Sequence, residues 1–104
     1  MVKHIILWTL NPELTDAEKQ RVKEEIKTGL EGLVGIVPGL ISAEVHIDGR
    51  LNSSNADLML DSTLVSPEAL KGYATHPAHV AVADTKVRPF THQRTCLDFE
   101  IQNA

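Results

Sequence analysis

Val2-Lys3-His4-Ile5-Ile6-Leu7-Trp8-Thr9-Leu10 reads as a β-strand that is apolar on both faces, and the rest of the architecture follows from it. Aliphatic, β-branched and aromatic side chains suit a pleated surface, and Asn11-Pro12 ends the run. Alternation puts Val2, His4, Ile6, Trp8 and Leu10 on one side and Lys3, Ile5, Leu7 and Thr9 on the other. A strand that needs cover on both faces belongs in the middle of a sheet.

Downstream of it, Thr15 and Glu18 form a capping box, so a helix starts here. Val22, Ile26, Leu30, Leu33 and Val34 recur at helical spacing and make one narrow buried stripe. Gly29, Gly32 and Gly35 weaken the last turns, and Pro38-Gly39 closes the unit. A second strand is expected from Leu40 to Asp48, with Ile41, Ala43, Val45 and Ile47 on one face. After a Gly-, Asn- and Ser-rich loop, Leu58, Leu60, Ser62 and Leu64 alternate with Asp57, Met59, Asp61 and Thr63 in a third. Ser66-Pro67 caps a second helix through Ala69, Leu70 and Tyr73. His76-Pro77 interrupts it, because proline disfavours helical geometry in the preceding residue. The helix restarts with Val80, Ala83 and Val87 inward, and Thr91 to Ile101 is the last strand.

The order βαββαβ defines an α+β, ferredoxin-like fold, expected here as a single domain over 1–104. Right-handed crossovers place both helices on one face of a four-stranded antiparallel sheet. The other face of the first strand is still apolar, and a second copy packed sheet to sheet would cover it. A homodimer forming an α/β barrel is therefore expected. With Ile5 and Leu7 assigned beneath the helices, His4, Ile6 and Trp8 fall on the face between the two sheets.

The net charge of −4 and the lack of a Lys/Arg cluster argue against nucleic-acid binding. No apolar run approaches membrane-spanning length, so no membrane partner is expected. The single cysteine, Cys96, excludes an internal disulfide and fits a cytoplasmic protein. Cys96 reads as a small apolar filler.

Chemistry is concentrated in histidine. Tyr73, His76 and His79 are spaced three apart beside the helix break, and His4 lies on the Trp8 side of the first strand. Zinc sites need three or four ligands, and no HExxH pattern is present, so neither metal nor cofactor is expected.

The opening Val2-Lys3-His4, the Val37-Pro38-Gly39 turn and Tyr73-Ala74-Thr75-His76-Pro77-Ala78-His79-Val80 resemble the stress-responsive A/B barrel family over nearly the whole chain. The resemblance implies a homodimer of ferredoxin-like subunits with a small-molecule-binding cavity between sheet and helices. Its members include plant stress-associated proteins and a plant polyketide cyclase. By that likeness His79 is a general base and Tyr73 a hydrogen-bond donor, with His4, Trp8 and His76 as substrate-binding residues. The implied reaction is an aldol-type ring closure. Where the cyclase carries aromatic residues on its first helix this chain has Val22, Lys23 and Ile26, which favours a smaller carbonyl compound. Two readings stand: a cavity-bearing binding protein, and a cyclase- or isomerase-like enzyme.

Overall fold

The computed structural model describes residues 1–102; the last two positions of the expected domain lie outside the described residues. Strands β1 (Val2–Leu10), β2 (Leu40–His46), β3 (Leu58–Leu64) and β4 (Thr91–Glu100) form one sheet in the order β2-β3-β1-β4. Every pairing is antiparallel, and β1 is central, as its two apolar faces require. Helices α1 (Asp16–Glu31), α2 (Pro67–Thr75) and α3 (Pro77–Val82), with a π-helical turn over Ala83–Val87, complete a ferredoxin-like α+β fold. No helix among the described residues is long and apolar enough to cross a membrane.

Local chemistry sets the element ends. Thr15 Oγ1 accepts from the Glu18 amide at 3.1 Å, and the Glu18 carboxylate accepts from the Thr15 amide at 2.9 Å. Ser66 caps α2 by a single bond, its hydroxyl accepting from the Ala69 amide at 3.1 Å. His76 adopts φ −62° and ψ 132°, the extended geometry that a following proline favours, so α2 stops and α3 restarts one residue on. Gly39 takes φ +81°, and a Cβ there would sit 2.7 Å from the Ala69 Cβ, so the turn needs glycine twice over.

The core lies between α1, the α2–α3 segment and one face of the sheet, and that face is not the one expected. Val2, His4, Ile6, Trp8 and Leu10 are the buried set, while Leu7 is 38% exposed on the far side. The reason lies on β3. Leu58, Leu60 and Leu64 pair with Trp8, Ile6 and Val2, whereas Asp61 pairs with Ile5. Burying the leucines turns Asp61 outward, where its carboxylate accepts from Lys3 Nζ at 3.0 Å. Ile5 and Leu7 must follow Asp61 to the open face.

On β2 the pairing shifts register between Leu40 and Ser42. Leu40 and Val45 are therefore buried and Ile41 is exposed, where strict alternation places Ile41 inward. This edge strand is tied to α1 by side chains. Glu31 accepts from the Val45 amide at 2.9 Å, and Lys27 donates to the Val45 carbonyl at 2.9 Å. Burial opposes the ionisation of Glu31, but the bonds from Lys27 and Val45 outweigh it and hold the carboxyl below its ordinary value.

Candidate functional site

The helices stop short of β4, every residue of which is exposed beyond the half-buried Thr91. A cleft of about 380 Å³ opens there between β4, β1 and the helical segment. Its floor is Ile6, Trp8 and Leu60 from the sheet, and Leu30 and Leu70 come from the helices. Its polar groups are His4, Tyr73, His79, Arg88, Thr91 and Arg94.

Tyr73 reaches inward from the last turn of α2 and is 2% exposed. Its ring meets the His4 ring edge-on, with centroids 5.8 Å apart, and lies against the His79 ring at 4.3 Å. Its hydroxyl has no protein hydrogen-bond partner among the described residues. No buried side-chain oxygen or nitrogen there is left unpartnered, so the hydroxyl opens into the cleft. Burial pushes the phenol up to about 12, partly countered by the Arg94 charge, so it stays a donor across the physiological range.

His79 sits in the first turn of α3, directly after the break. Its Nδ1–H donates to the Ala74 carbonyl at 3.2 Å, leaving Nε2 as the lone-pair nitrogen. Burial lowers its pKa below the ordinary histidine value; the Ala74 bond opposes this, and the charges of Arg88, His4 and Arg94 add to it. The imidazole is thus neutral at neutral pH, the form that can take a proton.

His4 is held from the neighbouring strand, on the same face of the sheet. Its Nδ1–H donates to Asp98 Oδ1 at 2.5 Å across the β1–β4 pair. Burial works against the Asp98 charge, but the His4 bond, the Cys96 bond and the Arg94 charge hold the carboxyl below its ordinary value. An ionised Asp98 only accepts, which places the His4 proton on Nδ1. The Cys96 thiol also donates to Asp98, at 3.4 Å, and burial with Asp98 beside it raises its pKa, so it remains a thiol. Among the described residues, His4, Cys96 and Asp98 are the group able to hold a metal ion, their donor atoms lying within 4.8 Å of one another.

Four of the residues singled out from sequence, His4, Trp8, Tyr73 and His79, line one cleft. His76 does not. Its Nδ1 accepts from the Ala78 amide at 3.1 Å, making it the N-cap of α3. Sequence reading missed Arg94 and the pairing of Asp98 with His4. Both depend on the β1–β4 register, which sets Arg94 opposite Trp8 and Asp98 opposite His4. The signal available was the alternation of Arg94, Cys96 and Asp98 on one face of β4.

The chain thus has a ferredoxin-like fold with a cleft between sheet and helices lined by His4, Tyr73 and His79. The chain belongs to the family described as the Stress responsive A/B Barrel Domain, which matches residues 2–101. It is 29% identical over 102 residues to olivetolic acid cyclase from Cannabis sativa, covering 94% of each chain. Among solved structures it is similar to a dimeric ferredoxin-like protein from Bacteroides fragilis. That likeness has a TM-score of 0.88 at 29% identity and covers 96% of this chain and 95% of the other. It also shares its fold with a hydroxynitrile lyase from Passiflora edulis, at TM-score 0.78 and 17% identity, with 99% and 94% of the chains covered.

Proposed function

We propose that this protein is a homodimer whose sheet–helix cleft binds a small carbonyl compound and removes a proton next to its carbonyl. One observation carries the reading: His79, fixed through Nδ1 on the Ala74 carbonyl, and Tyr73 share one cleft, with their rings 4.3 Å apart. His79 Nε2 is the base. Tyr73 donates to the carbonyl oxygen as negative charge grows there. Loss of that proton leaves an enolate, which can attack a second carbonyl of the same molecule, the ring closure that likeness to a cyclase suggests. Where the ligand carries a β,γ-double bond, the extended enolate can instead take the proton back at the γ-carbon, which would be an isomerisation. Trp8, Leu30, Leu60 and Leu70 would hold the apolar body of the ligand, with His4 beside Tyr73.

The dimer rests on the open face of the sheet. Leu7, Leu97 and Phe99 are 38%, 62% and 43% exposed. By strand pairing they share that face with Ile5. A contiguous apolar sheet face of this kind suits a second copy packed against it, and the Bacteroides fragilis relative is described as dimeric.

Binding is tested by thermal unfolding with a panel of small aryl-alkyl ketones. A ketone at ten times its Kd should raise the Tm of the wild type by about 5 °C. His79→Ala should lose most of that rise. Equal stabilisation of both proteins by every hit would remove His79 from the site.

A further inference from the structure

The cleft has a charge of its own that runs against the chain as a whole. The protein carries −4 overall. Yet its cleft is lined by Arg88 and Arg94, with no aspartate or glutamate among the lining residues. The two arginines are not equivalent. Arg88 forms an ion pair with Asp84, one helical turn back. Arg94 has no ion pair among the described residues. The acid nearest it along β4, Asp98, is already engaged by His4 and Cys96. Strand pairing sets the exposed Arg94 opposite the buried Trp8, and both line the cleft.

We propose that Arg94 is the counter-ion for a carboxylate, and that the natural ligand is a small apolar acid bound as its anion. This deepens the cleft reading above and rests on it. A guanidinium offers two parallel N–H groups that match the two oxygens of a carboxylate, which fixes orientation as well as charge. Cys96 and Asp98 share the Arg94 face of β4, and the Asp98 carboxylate, which feels the Arg94 charge, is held by His4 and Cys96. The remaining groups around the cleft fit the same ligand. Tyr73 and Thr91 bring hydroxyl donors, Arg88 adds positive charge, and His79 brings no negative charge. With the acid group held at β4, the apolar body lies over Trp8 toward Leu30 and Leu70. The atoms between body and acid then pass Tyr73 and His79. Arg94 therefore selects for ligands carrying an acid at one end and a reacting carbonyl within the chain.

Calorimetric titration with hydrocinnamate and its uncharged counterpart hydrocinnamamide separates this claim from the broader one. The wild type should bind the acid at least about 10-fold more tightly than the amide, the worth of one charge-assisted hydrogen-bonded contact. Arg94→Gln should bring the two within about 2-fold, chiefly by weakening the acid, while its unliganded Tm stays at that of the wild type. Raising the salt concentration should shrink the preference of the wild type. Equal binding of acid and amide by the wild type would overturn the role of Arg94 and leave the cleft as a carbonyl-binding site. An acid preference that survives in Arg94→Gln would do the same. If neither compound binds the wild type, the cleft reading falls, and this inference with it.

Discussion

The proposed role of His79 as a base rests on two influences with opposite effects on its charge. Burial in the cleft disfavours its charged form, and the Ala74 carbonyl fixes which nitrogen carries the proton. The rate of proton removal should therefore be full above the pKa of His79 and fall as pH drops through it, at a value below the 6.5 of an ordinary histidine. Tyr73, raised to about 12, should add no alkaline fall until far above neutrality. Stability moves the same way. The unfolded chain binds the His79 proton more tightly than the folded one. The stability linked to this group is whole above the ordinary histidine value and is lost as pH falls toward the folded value. Thermal unfolding between neutral and mildly acid pH should show His79→Ala losing less stability than the wild type; an equal loss would contradict the lowered value. The pair Tyr73 and His79 could be read from sequence because both lie within one short segment around a helix break. Arg94 and the Asp98–His4 bond could not, since each joins residues roughly ninety positions apart in the chain through strand pairing.

Elements carry the site by where they stop. The α2–α3 break, set by Pro77, turns His79 back over Tyr73, and the Gly39 turn lets α2 approach β2 closely. Gly39→Ala places a Cβ 2.7 Å from Ala69 at a φ of +81°. It should cost about 2 kcal/mol or more in urea unfolding, combining the left-handed backbone penalty with overpacking. A loss under about 0.5 kcal/mol would show that α2 can shift freely. The helix N-caps, the helix break, the order of elements along the chain and the central place of β1 were all legible because each rests on local chemistry or on connection rules. The inward face of β1 was not, because both of its faces are apolar and alternation alone cannot choose between them. The choice is made on β3, where only one face is free of Asp61. The register shift at Leu40 to Ser42 hid the inward residues of β2 in the same way.

At the scale of the whole molecule, sheet and helices enclose the cleft on one side and leave Leu7, Leu97 and Phe99 bare on the other. The open face and the cleft are thus on opposite sides of the sheet. Light scattering should give a mass near twice the 11.4 kDa of the chain. Leu97→Asp, which sets a charge in the middle of the apolar face, should shift it toward one chain mass. A wild type that is monomeric at micromolar concentration would defeat the dimer. The proposed chemistry is tested most directly by solvent-deuterium incorporation into benzylacetone beside its carbonyl, followed by proton NMR at neutral pH. The wild type should accelerate incorporation, His79→Ala should be slower by about 100-fold or more, and Tyr73→Phe should fall between them. Incorporation at the same rate in the wild type and in His79→Ala would contradict the assignment of His79 as the base.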